Sequence, residues 1–97
     1  MSKALHTPGP WFVPTKSFGT LYVEARIGGG MLQEVAAVGP TEKSEQQEAN
    51  ARLISAAPDL LEALEKIEKA AFATVCNPEW IANHARAAIA KATGEAP

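Results

Sequence analysis

Glu48–Glu65, EANARLISAAPDLLEALE, is the stretch whose reading decides the fold. Ala49, Leu53 and Ala56 recur on one stripe, with Asn50, Ile54 and Ala57 beside it, and that spacing is the period of an amphipathic helix. Pro58 disfavours helical geometry at Ala57 yet suits the first turn of a new helix, where Asp59 and Glu62 complement the positive end of the dipole. The chain is therefore expected to bend at Pro58. Leu60, Leu61, Leu64 and Ile67 form the next apolar stripe, while Glu62 with Lys66 and Glu65 with Lys69 read as outward ion pairs. Upstream, Ser44 followed by Gln47 is a capping-box candidate, which predicts a helix from about Ser44 to Ala56.

On the N-terminal side the pattern changes. Met1 to Pro10 ends in HTPGP, whose prolines remove amide donors and hold an extended or turned arm. Trp11 to Val13 reads as a short strand stopped by Pro14. From Thr20 to Ile27 the chain alternates, with Leu21, Val23, Ala25 and Ile27 on a core face and Tyr22, Glu24 and Arg26 on the other. Gly28-Gly29-Gly30 accepts positive φ without steric cost, and Met31 to Val38 resumes the β pattern before Gly39-Pro40, so a hairpin is expected. On the C-terminal side, Asn77-Pro78 is a cap and a first-turn proline, opening a helix to about Thr93 with Ile81, Ala85, Ala88, Ile89 and Ala92 on one stripe.

The expected architecture is one α+β domain over residues 1–97. An arm at 1–10 leads to a two- or three-stranded antiparallel sheet at 11–39 and a helical part at 43–93, with Leu21, Val23, Leu53 and Leu64 meeting in one interior. A chain of 97 residues buries only about 60 to 65% of its unfolded surface, so a homo-oligomer is expected. With 46% apolar and 21% charged residues the composition is that of a globular protein. The formal charge is −2 and the acids crowd between Glu42 and Glu68, which argues against a duplex-binding basic face. No run reaches the roughly 20 apolar residues of a membrane helix, and Met1 to Pro10 lacks the apolar core of a signal peptide. A single cysteine, Cys76, permits no internal disulfide, which fits a reducing cytoplasm.

The residues point away from catalysis. His6 and His84 lie at no metal-ligand spacing from each other or from Cys76, no activating motif surrounds Cys76, and no pair of carboxylates marks a cleft, so no catalytic residue, metal or cofactor is expected. A binding site is the remaining possibility. Asn50, placed by the periodicity at the edge of the apolar stripe, would need a partner if buried: either loop or helix backbone, or the edge of a small ligand. In the ligand reading Arg26 or Arg52 would take a phosphate, Trp11 or Tyr22 would stack on a base, and the side-chain-free turn Gly28 to Gly30 would let the ligand approach. Trp80 and His84, one turn apart, could instead form a face that meets another protomer.

HTPGPW at His6 to Trp11, EVAAV at Glu34 to Val38 and EANARLISAAPDLLEALE at Glu48 to Glu65 together resemble a widespread family of small phage and prophage proteins. Members of that family carry an HTPGPW-type start followed by NARLIxAAPxLLEAL. The resemblance implies a phage-encoded accessory protein acting in the host bacterial cytoplasm. In size and in its strands-then-helices layout the chain is also similar to phage anti-Thoeris sponges, which bind cyclic nucleotide signals without cleaving them. That similarity implies sequestration of a nucleotide second messenger, and the alternative is a protein that inhibits or remodels a host protein through an interface. From Ala70 onward the chain departs from the family pattern, so Trp80, His84 and Arg86 inherit no role.

Overall fold

The structure is a computed structural model that describes residues 5–14, 16–17, 19–73 and 77–95. Cys76 lies outside the described residues. The element order is β1 (Trp11–Phe12), β2 (Lys16–Ser17), β3 (Thr20–Ile27), β4 (Met31–Val38), α1 (Ser44–Ser55), α2 (Ala57–Ala71) and α3 (Pro78–Thr93), an α+β layout of an antiparallel sheet followed by helices.

β3 is the spine of the sheet. β4 pairs along its whole length from Leu21↔Val38 to Ile27↔Met31, with a bulge between Val23 and Glu24. β1 pairs with its far half, Trp11↔Ala25 and Phe12↔Glu24, and β2 with its near half, Lys16↔Leu21 and Ser17↔Thr20. β1 and β2 therefore act as two pieces of one edge strand interrupted after Pro14, where the missing amide cannot join a ladder. The β2 piece was not legible in the alternation. The β3–β4 turn is Gly28–Gly30, with φ near +78° at Gly29 and +76° at Gly30, values that a side chain would strain.

Helices cover one face. Leu21, Val23, Val38 and Ala51 form the buried cluster, with Trp11, Val13, Val35, Ala36 and Ile54 packed around it. Leu21, Val23 and Ala25 bury as the alternation requires, whereas Ile27 runs past the helices and is exposed at the hairpin end. The bend at Pro58 is present: α1 stops at Ser55, Ala56 caps it, and Pro58 sits in the first turn of α2.

Two expectations fail in the helices. Leu53 and Leu64 do not join Leu21 and Val23, being 53% and 63% exposed. The helix face that meets the sheet is instead Gln47, Ala51 and Ile54, at i, i+4 and i+7, about 150° away from the stripe through Ala49 and Leu53 at about 100° per residue. Nor is Ser44–Gln47 a capping box. Lys43 is the N-cap without a side-chain bond, and Gln47 turns inward, its Nε2 donating to the carbonyls of Gly19 at 2.6 Å and Val38 at 3.0 Å. Gln47 is 2% exposed, and Asn50 stands in solvent. The buried amide exists, three residues upstream of the expected one. By contrast the Asn77 cap forms as read, its Oδ1 accepting from the amides of Glu79 and Trp80.

Candidate functional site

The N-terminal arm and the α1–α2 junction meet in space. Gly9, joined to Pro10 by a cis peptide, lies so close to Pro58 that a Cβ on Gly9 would stand 3.0 Å from the Pro58 Cβ. The Trp11 indole nitrogen donates to the Thr7 carbonyl at 3.0 Å, His6 meets the Trp11 ring edge-on, and the Trp11 ring packs against the core cluster. The stretches His6–Trp11 and Glu48–Glu65 are thus two sides of one contact.

Beside it opens a groove of about 880 Å³ between β1, β3, α1 and the end of α3, a volume within the range of ligand pockets. Trp11, Val13, Leu21, Ala51 and Ala90 make its apolar walls, and Glu48, Arg52, Lys91 and Glu95 stand around it. Small residues on α1 and α3 keep the two helices from filling it. Its cations are already engaged. Arg52 Nη1 reaches the Thr93 carbonyl at 3.5 Å and its guanidinium lies against Gly94, where an added Cβ would come within 2.7–2.9 Å of the Arg52 side chain. Gly94 is the left-handed C-cap of α3, so Arg52 answers the negative end of that helix dipole. Lys91 Nζ donates to Asp59. No ion pair is recorded for Glu48 or Glu95 among the described residues.

The residues named for a nucleotide site are spread over the molecule. Trp11 and Arg52 reach the groove. Tyr22 and Arg26 lie on the opposite face of the sheet, where Arg26 sits 4.9 Å above the centre of the Phe12 ring. Asn50 does not line the groove, and Gly28–Gly30 mark the hairpin tip. Glu48, Lys91 and Gly94 were missed. The spacing Glu48, Ala51, Arg52, Ser55 is itself a helical stripe that could have located the groove's α1 wall. At the start of α3, Trp80 and His84 stack with ring centres 3.8 Å apart, and His84 Nδ1 donates to the Trp80 carbonyl. Among the described residues no group of three or more His, Cys, Asp or Glu could hold a metal ion, and no helix is long and apolar enough to cross a membrane.

Residues 1–96 match the family described as Salmonella phage P22 protein Y8K6. The chain belongs to that phage protein family. No curated protein and no solved structure matches it. In this member of the Y8K6 family, Gly9 and Pro58 form the arm contact, and Trp11, Ala51 and Arg52 line the groove beside it.

Proposed function

We propose that this phage protein is a non-enzymatic accessory protein that acts in the host cytoplasm by binding a host protein, taking an apolar segment with a basic flank into the groove. The observation that carries the reading is the electrostatic state of that groove. Its walls are Trp11, Leu21, Ala51 and Ala90, its Arg52 is turned onto the carbonyl end of α3, its Lys91 is paired with Asp59, and Glu48 and Glu95 stand around it without an ion pair among the described residues. Such a surface attracts Lys or Arg beside an aliphatic or aromatic anchor, and the anchor carries most of the energy.

Selection from a random peptide library on the immobilised protein tests this. Recovered sequences should place a basic residue next to an apolar one, and Glu48→Lys with Glu95→Lys should abolish the enrichment while leaving the melting temperature near that of the parent. Recovery of sequences without that signature would overturn the reading.

Sequestration of a cyclic nucleotide is the second reading, favoured by Trp11 and Arg52 sharing one concavity of suitable size. Thermal-shift screening separates the two, since a ligand at 100 times its dissociation constant adds about 2.7 kcal/mol of stability. A nucleotide whose shift disappears in Arg52→Ala would reverse the order of preference.

A further inference from the structure

The outer side of α2 carries exposed apolar side chains that its packing against α3 does not use. No residue of this 15-residue helix is buried. Leu60, Ala63, Ile67 and Ala70, at spacings of three and four, are half-buried on the side packed against α3. At about 100° per residue these positions cover only part of the apolar arc. The arc continues through Leu61, Leu64 and Phe72, which are 43%, 63% and 86% exposed. A helix that served only to cap α3 would carry polar residues at those positions.

The molecule as a whole also exposes more surface than a compact chain of its mass. A compact monomer of 10.2 kDa exposes about 5,300 Å² by the usual scaling with mass. This chain exposes 7035 Å². Its radius of gyration is 15.6 Å, against about 12.5 Å for a compact domain of its length. The extra area is roughly twice the 800 Å² or so that each partner contributes to a standard interface.

We infer that the Leu61–Leu64–Phe72 side of α2 is a self-association surface whose occupant is α2 of a second copy, packed antiparallel across a two-fold axis near Leu64. The two-fold makes the contact self-complementary, as closed dimers require. It sets Leu64 against the Leu64 of the copy and carries Phe72 toward Ala57 at the start of the copy's α2. It also brings Glu68 to the first turn of the copy's α2, the positive end of that helix dipole, so the one acidic residue within the arc meets a favourable field. The seam is then a pair of leucine-lined helices of the kind that packs at shallow angles in bundles. No α2 residue lines the groove, so it remains open in both copies, which would make the dimer bivalent for its partner.

Light scattering coupled to size exclusion tests the contact. The wild-type chain should elute at twice 10.2 kDa. Leu61→Glu with Leu64→Glu should return it to the monomer mass with its helical circular dichroism retained, because both side chains are already exposed in the monomer. As a second readout, Leu64→Cys in a Cys76→Ser background should form a covalent dimer on mild oxidation, since the axis places that position against itself. A wild-type mass of 10.2 kDa at the highest soluble concentration would overturn the inference. So would a dimer that survives both glutamates without cross-linking at position 64. If the double variant unfolds, the cross-link decides alone.

Discussion

Gln47 shows at the scale of one residue why the buried amide was legible in kind and not in position. A stripe through Ala49 and Leu53 is the more apolar reading of α1, but the helix is oriented by hydrogen bonding as well as by apolar area. Two carbonyls at the ends of the β3–β4 pair, of Gly19 and Val38, would be orphaned under the helix, and the two amide hydrogens of Gln47 satisfy both without burying a charge. Orienting α1 for that bond leaves Leu53 and Asn50 outside. Gln47→Ala should therefore cost about 2 to 4 kcal/mol, the sum of two unsatisfied carbonyls and a cavity, read from urea denaturation. Gln47→Glu adds a sign with pH. Burial raises the folded-state pKa of the new carboxyl above its unfolded value of about 4.3, so the native state binds the extra proton and the variant loses further stability as pH rises above that value. A melting temperature flat across that range would contradict the burial of position 47. A second residue-scale conflict lies on the other sheet face. Glu24 and Glu34 are register partners, and Glu24 Oε1 is buried without a hydrogen bond. Glu34→Lys should raise stability by about 0.5 to 1 kcal/mol by replacing a like-charge cross-strand pair with an opposite one.

At the scale of elements, the local signals were strong wherever backbone chemistry decides. The triglycine turn, the Pro58 bend, and the Asn77-Pro78 start of α3 each rest on a residue with few alternatives, and each is present. The α1 wall of the groove had a periodic signal in Glu48, Ala51, Arg52 and Ser55, but the opposite wall did not, because tertiary packing brings Ala90 and Gly94 of the α3 end to it. The nucleotide-site residues likewise look clustered along the chain around β3 and α1, but the pleat sends Tyr22 and Arg26 to the face opposite Leu21 and Val23, away from Arg52. The arm-to-helix contact does carry a testable consequence. Gly9→Val forces a branched side chain onto the Pro58 ring, and because Pro58 is rigid the arm rather than the helix should yield. In a Trp80→Phe background the Trp11 emission should then shift to the red and its quenching by acrylamide should rise, while helical circular dichroism stays unchanged. Emission identical to the parent would show that the arm does not depend on the close approach at Gly9.

For the whole molecule, the question is how a chain with so few buried residues holds together. Among the described residues the helices cover one side of the sheet, the buried cluster centres on Leu21, Val23, Val38 and Ala51, and α2 and α3 lie mostly beside this core, in a body only 17 Å thick along its shortest axis. A monomer of this shape would have little stability in reserve. Coupling folding to association across α2 would supply the missing burial, and mass action then makes the stability depend on protein concentration. For an association that melts directly to unfolded chains, a melting enthalpy of about 0.7 kcal/mol per residue over both copies implies a rise in melting temperature of about 3 to 4 °C per tenfold increase in concentration. Differential scanning calorimetry across two decades of concentration checks this. Leu61→Glu with Leu64→Glu should both lower the melting temperature and make it independent of concentration, since the substituted chain has only its own core to lose. Glu48→Lys should leave the concentration dependence intact, because Glu48 lines the groove, to which α2 contributes no residue. If the wild-type melting temperature does not move with concentration, the 97-residue chain is stable on its own small core and the exposed leucines of α2 are not sites of self-association.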